Sequence, residues 1–359
     1  MTEHHLLRAT PPIPFDEVFA FTGELVAWQS LDGGHIHETL LVTCGRHYVV
    51  QRLNRSIFPD PDLLLANCKR VADHLITAGW PGPRLIPTRS SGLWHNDGVG
   101  GAWRAFEFLE GTRYSEVVSG PREAFQAGLI FGRFLRALDD LPPPALAELI
   151  PRFHDLAARA DALSVAVDQD THGRSRAAAA ELDQARRLVD RVLHHLSDVL
   201  PGLPARTVHN DAKIANVRFA LETTDAVAVI DLDTVMPGNV LHDVGELVRT
   251  TATSRPESAD PGALRIDPTL LDAVATGYLS GADGLLSDEE IQALAWAGPW
   301  MAVENGVRFV TDHLQGDCYF RIGWTGQNLA RARMQFALAT QLLDNLGQVQ
   351  DIFTRATNP

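Results

Sequence analysis

Apolar and polar positions alternate through the first third of the chain and fall into helical spacing through most of the rest. The runs Thr39-Leu40-Leu41-Val42 and His47-Tyr48-Val49-Val50-Gln51 flank Cys44-Gly45-Arg46, the pattern of two antiparallel strands joined by a tight turn. Beyond Pro59 and Pro61, residues 62–78 carry apolar side chains at three- and four-residue intervals. That segment then meets Gly79, Pro81 and Pro83, so a helix ending near Ala78 is predicted. Ile86-Pro87 and Gly101 to Leu109 supply further extended runs. Residues 1–110 therefore read as a small antiparallel sheet with one helix.

From Gly111 onward, long helical patterns dominate: 122–141, closed by Pro142-Pro143-Pro144; the Ala- and Arg-rich 175–200; and two nearer the C-terminus. Ser287-x-x-Glu290 before Ile291 has the form of a capping box. Residues 204–249 interrupt the helices with strand-like pieces at Arg206-Thr207-Val208 and Ala226 to Ile230. The fold class is α+β, with a boundary between 1–110 and 111–359.

Composition narrows what such a chain does. Its 359 residues exceed one small core, and 45% are apolar, an ordinary globular share. The net charge of -14 and the dispersed Lys and Arg disfavour a nucleic-acid partner. An anionic substrate would need a local counter-charge, such as a metal ion held by carboxylates. Cys44, Cys68 and Cys318 are odd in number and far apart, so buried thiols are expected, with no disulfide framework or zinc site. The start Met1-Thr2-Glu3-His4-His5 lacks a signal-peptide pattern, and no apolar stretch has membrane-spanning length. A cytoplasmic location, no membrane partner and a monomer are expected.

The chemistry concentrates in the interruption. His209-Asn210-Asp211-Ala212-Lys213-Ile214-Ala215-Asn216 keeps the His, Asp and Asn spacing of a kinase catalytic loop, in which the Asp takes a hydroxyl proton and the Asn binds magnesium. A metal-binding Asp should follow after a short β hairpin, at the end of an apolar strand, and Val227 to Ile230 leads into Asp231-Leu232-Asp233. An N-D or D-L-D alone is most often a turn or a solvated pair; the two motifs in order, with the strand between them and Asp243-Val244-Gly245 after, carry the reading. Asp211 is the candidate base, Asn216 and Asp231 are candidate Mg²⁺ ligands, and Asp233 is a candidate for a second ion. Lys213 would meet the transferring phosphoryl group as a point charge; otherwise it is a surface lysine. His209 is assigned a structural role in preference to that of a base. A bilobal, protein-kinase-like fold follows, with a nucleotide-binding first lobe and a catalytic, substrate-binding second lobe.

At these residues the chain resembles the aminoglycoside phosphotransferase and choline kinase family, and within it the bacterial N-acetylhexosamine 1-kinases. The resemblance extends to Gly34-His35-Ile36-His37-Glu38-Thr39, Gln51-Arg52-Leu53-Asn54, Phe153-His154-Asp155, Gly306-Val307-Arg308-Phe309 and Gly316-Asp317-Cys318-Tyr319-Phe320, in the same order from about Asp32 to Arg333. It implies ATP between the lobes, with adenine against Glu107-Phe108-Leu109-Glu110 and Gln51 on the phosphate side. It also implies a sugar held by His35, Arg308 and Tyr319, its anomeric hydroxyl deprotonated by Asp211, and Trp103 nearby as wall or, more simply, as core.

The chain departs from the kinase pattern in places. Gln51 stands where a phosphate-binding Lys is usual, and residues 62–78 contain no Glu to pair with one. No G-x-G-x-x-G loop or A-P-E segment occurs, which argues against protein substrates. Arg308 lies four residues from both Glu304 and Asp312, so surface ion pairs are its alternative role. A kinase of the same fold for an aminoglycoside, a choline-like amine or another sugar, and an inactive nucleotide-binding protein, are the alternative functions.

Overall fold

The computed structural model describes residues 10–31, 36–253, 255 and 260–357. The chain divides into two compact units, Met1–Gly111 and Thr112–Pro359.

The first unit contains α1 (Phe15–Val18), β1 (Ala27–Ser30), β2 (Glu38–Cys44), β3 (Arg46–Arg52), α2 (Pro61–Thr77), β4 (Leu85–Ile86), β5 (His95–Asn96) and β6 (Ala102–Glu107). Its antiparallel sheet has the order β1-β2-β3-β6-β4, with β5 also on β6. The hairpin runs in register from Glu38 opposite Arg52 to Cys44 opposite Arg46. Gly45 turns it at φ +72°, a left-handed conformation that costs a residue without Cβ little. One face of the sheet buries Leu40, Val42, Tyr48, Val50, Trp103 and Ala105 against Phe15, Phe19 and Phe21. Trp103, 2% exposed, is core, and its indole N–H donates to Asp97 at 3.0 Å. Helix α2 forms as the sequence predicts: Asp60 caps it by accepting from the Leu63 N–H, Pro61 opens it, and Gly79 follows its end at φ +79°. The one-turn α1 is an addition to the single helix predicted here.

The second unit contains β7 (Thr112–Arg113), α3 (Pro121–Leu138), α4 (Leu156–Gln169), α5 (Ala179–Val199), β8 (Arg206–Val208), β9 (Val217–Ala220), β10 (Ala226–Val229), β11 (Met236–Gly238), α6 (Val240–Thr251), α7 (Pro268–Ala282), α8 (Asp288–Ala293), α9 (Ala297–Leu314), α10 (Gln327–Asp344) and α11 (Leu346–Ala356). More helices occur toward the C-terminus than the two the sequence predicts, and α4 and α6 were not predicted. Their patterns are short or diluted by polar residues, and tertiary burial supplies what periodicity does not. The capping box at Ser287 and Glu290 forms, with both reciprocal bonds present. Helix α3 also stops earlier than expected, at Leu138.

Helices α3 and α7 meet along two pairs of glycines, Gly128 with Gly132 and Gly277 with Gly281. A Cβ built on any of the four would stand 2.1–2.3 Å from a backbone oxygen of the opposite helix. This close approach lets Phe131 and Phe134 of α3 reach His209, with ring centroids 5.3 and 5.5 Å away. Each buried ring contributes about 1.5–3 kcal/mol of apolar burial. Cys44 and Cys68 are buried as expected, whereas Cys318 is exposed on a loop. Among the described residues, no helix is long and apolar enough to cross a membrane.

Candidate active site

One strand pair distant in sequence and one short hairpin bring the motif residues together in the second unit. Strand β8 pairs with β11, Val208 opposite Met236, so the 209–216 segment that leaves β8 starts beside the 230–235 segment that enters β11. Strand β9 pairs with β10, and the Ile230 N–H donates to the Asn216 carbonyl at 2.9 Å, setting Asp231 beside Asn216. Asn210 and Asp231 both adopt left-handed backbone, φ +61° and +64°. Asn and Asp tolerate that region better than other non-glycine residues. Such conformations persist where surrounding bonds over-determine them.

Here the bonds are plentiful. The Asp243 carboxylate accepts from the N–H groups of His209 (2.9 Å) and Asn210 (2.7 Å). The Thr234 hydroxyl donates to the His209 carbonyl at 2.8 Å, and His154 Nε2 lies 2.7 Å from the Asn210 carbonyl. Asn210, which replaces the usual Arg, donates its amide to the Thr234 carbonyl at 3.0 Å, while its Oδ1 lies 2.8 Å from His242 Nδ1. It works as a cross-link between the two loops. Asp243, buried, is pushed up to about 7 by desolvation.

His209 is fully buried, its Nε2 3.1 Å from the Ile230 carbonyl and its Nδ1 accepting from the Asp211 N–H at 3.3 Å. Desolvation holds it down to about 4, so it is neutral at pH 7 with both nitrogens engaged by backbone. That supports the structural role assigned from sequence.

Asp211 Oδ2 accepts from Lys213 Nζ at 2.7 Å and from Asn216 Nδ2 at 3.1 Å; the same Asn216 amide also donates to the Asp211 carbonyl at 2.9 Å. Burial pushes the Asp211 carboxyl up, but the Lys213 charge and hydrogen bond outweigh it and hold the group below its ordinary value. For Lys213, burial is likewise outweighed, by the charges of Asp211 and then Asp231, and its ammonium is held above normal. Lys213 is thus no free surface lysine. Asp233 is 3% exposed, and its charge is felt at His209.

One amide oxygen and one or two carboxylates form a hard-oxygen donor set suited to Mg²⁺, which usually takes few protein ligands and completes its shell with phosphate oxygens and water. Among the described residues no group of three or more His, Cys, Asp or Glu could hold an ion unaided. Asn216 and Asp231 fit the former arrangement.

Arg308 and Tyr319 also come together. Arg308 Nη2 donates to the Tyr319 hydroxyl at 3.3 Å, and its guanidinium lies 5.3–5.5 Å from the rings of Phe153, Tyr319 and Phe320. Of the two ion pairs considered for Arg308, the one with Glu304 forms, but it is buried and not on the surface. Glu304 is wholly buried, with Arg159, Arg308 and His154 at 3.3, 3.7 and 3.7 Å, and Asp312 binds a loop instead. Burial raises the Glu304 carboxyl, yet Arg308 foremost, then His154 and Arg159, bring it down to about 2. The charge of Glu246 is felt at both Lys213 and Arg308, which links the two clusters.

In the first unit, Gln51 accepts from the Arg104 guanidinium at 3.0 and 2.8 Å and donates to the Thr39 hydroxyl at 3.1 Å. Glu107 ends β6 and pairs with Arg46 at 2.8 Å; Leu109 lies two residues beyond. His35 lies outside the described residues. Sequence reasoning assigned no site role to His242 or Arg104, placed His154 only within the Phe153-His154-Asp155 resemblance, and read Glu304 only as a surface partner of Arg308.

The family model described as the phosphotransferase enzyme family matches residues 27–287. A solved spectinomycin phosphotransferase in complex with ADP and spectinomycin is 13% identical with a TM-score of 0.62, over 91% of this chain and 95% of that one. An aminoglycoside phosphotransferase from Alicyclobacillus acidocaldarius is 15% identical with a TM-score of 0.61, over 97% and 98%. A microcompartment-associated aminopropanol kinase is 17% identical with a TM-score of 0.62, over 92% and 95%. The antiparallel-sheet unit followed by a mostly helical unit is the fold of these enzymes.

Proposed function

Because the chain belongs to the phosphotransferase enzyme family, we propose that it is an ATP- and Mg²⁺-dependent kinase that phosphorylates the anomeric hydroxyl of an N-acetylhexosamine. The observation that carries the phosphotransfer reading is the bonded set Asp211, Lys213 and Asn216, with Asp231 beside it. Related folds solved with ADP, and an amicoumacin kinase with AMP-PNP and Ca²⁺, support a nucleotide and a divalent cation.

In this reading Asp211 receives the hydroxyl proton as the acceptor oxygen forms its bond to the γ-phosphorus and the bond to the β-phosphate oxygen breaks. Held low by Lys213, Asp211 is ionised at neutral pH and ready to accept. Lys213 would balance charge on the transferring group with its ammonium. Asn216 and Asp231 would hold the metal, with Asp233 serving a second ion; a bound divalent cation screens the phosphate oxygens. Gln51, Glu107 and Leu109 would serve the nucleotide, and His35, Arg308 and Tyr319 the sugar. The cationic, aromatic-lined Arg308 suits a neutral sugar better than a polycationic aminoglycoside.

The test is ADP release over a panel of hexosamines, hexoses, aminoglycosides and amino alcohols, with phosphorus NMR locating the ester. Turnover confined to amines would replace the sugar, and no ADP with any acceptor would favour the inactive nucleotide binder that Gln51 raises. Asp211→Asn should lower turnover by about 10²–10⁴ with sugar binding and folding nearly intact. Unchanged turnover removes Asp211 as base.

A further inference from the structure

The loop that follows α9 is held by a carboxylate from that same helix. Asp312, 3% exposed in the last turn of α9, accepts four hydrogen bonds. Its Oδ1 takes the backbone N–H groups of Cys318 (2.8 Å) and Tyr319 (2.7 Å). Its Oδ2 takes the N–H of Phe320 (3.0 Å) and the amide of Asn328 (2.8 Å). Three successive backbone donors converging on one anion form a nest, here filled from within the chain. Asn328 extends the clamp to Asp317 Oδ1 at 3.0 Å, and Arg174 holds Asp317 Oδ2 at 2.6 Å.

We infer that Asp312 is a positioning residue for the acceptor: by gathering these N–H groups it sets Tyr319 and Phe320 against Arg308, whose Nη1 pairs with Glu304 at 3.7 Å. Tyr319 is 38% exposed, so apolar burial does little to fix it, and hydrogen bonds to a buried charge carry the placement. Arg308, Asp312 and Glu304 lie on one face of α9 at four-residue steps, so a single helix aims the guanidinium and anchors the loop that completes its surroundings. This inference rests on the proposed role of Arg308 and Tyr319 toward the sugar.

Asp312→Asn is the test, because the amide nitrogen cannot accept and leaves two donors facing it. With ATP and N-acetylglucosamine as the pair assayed, KM for the sugar should rise about tenfold while kcat and KM for ATP stay within about twofold. Amide hydrogen exchange at Cys318, Tyr319 and Phe320 should accelerate with that of α9 unchanged. Should this variant not accumulate folded, Asn328→Ala keeps the carboxylate, removes one donor and should move the sugar KM the same way by about two- to threefold. Tyr319→Phe separates the layers. If it raises the sugar KM and Asp312→Asn does not, the positioning inference is overturned. If neither moves KM although the three amides exchange faster, the loop does not serve the acceptor, and the reading of Tyr319 beneath the inference falls.

Discussion

Replacing Gly132 by Ala tests the packing that sets the catalytic loop. The added Cβ would stand 2.1 Å from the Tyr278 carbonyl oxygen and 2.8 Å from the Ala282 nitrogen, distances that real Cβ atoms essentially never show. Both obstacles are backbone, so α3 and α7 must separate by about 0.9 Å, which on a dispersion potential forfeits roughly a quarter to a half of each facing contact. Overpacking of this kind costs about 1–3 kcal/mol, and the upper end applies because no side chain can rotate away. Alanine returns about 1 kcal/mol of helix propensity, leaving a net loss of about 2 kcal/mol. Urea unfolding followed by circular dichroism measures it, with Gly202→Ala as control, since an added Cβ there meets nothing within 4 Å. Because α3 presents Phe131 and Phe134 to His209, turnover per folded molecule should fall as well. A Gly132→Ala protein as stable as the control, or more stable, would show that the two helices do not approach so closely.

Further outcomes follow from the charged clusters. Lys213→Ala removes the charge that holds Asp211 low, so kcat should drop about 10²-fold. The acid limb of its pH–rate profile should also move to higher pH; an unmoved limb would separate the two side chains. Asp231→Asn and Asn216→Ala should each raise the Mg²⁺ concentration for half-maximal turnover by about tenfold, Asn216→Ala also costing about 1 kcal/mol of stability for its lost hydrogen bonds to Asp211, and an unchanged Mg²⁺ titration would remove both as ligands. Glu304, held down to about 2, gives stability that is present above its unfolded pKa of about 4.5 and is lost as pH falls toward 2. Between pH 4 and 3 the parent should lose up to about 1.4 kcal/mol per pH unit that Glu304→Gln does not. Parallel stability curves for the two proteins would show that Glu304 titrates normally.

What the chain declares by itself is local. The hairpin over Glu38–Arg52 is legible because alternation and a turn glycine act on adjacent residues, and α2 because Asp60, Pro61 and Gly79 mark both ends. The spacing from His209 to Asn216 and the apolar strand before Asp231 fix which side chains emerge from which loop, so the candidate constellation could be listed from sequence. Tertiary structure decided which of those side chains act on each other and which charges lose their water. Glu304, Arg308 and Asp312 stand at four-residue steps that fit an exposed ion-pair ladder equally well. Only packing against His154, Arg159, Phe153 and the 317–320 loop buries the two carboxylates and gives them different tasks. Asn210 looks like a lost arginine until Thr234, His154 and His242 arrive from distant segments to bind it. Propensity and spacing act over a few residues, whereas desolvation and Coulomb forces depend on neighbours brought together only by the folded chain.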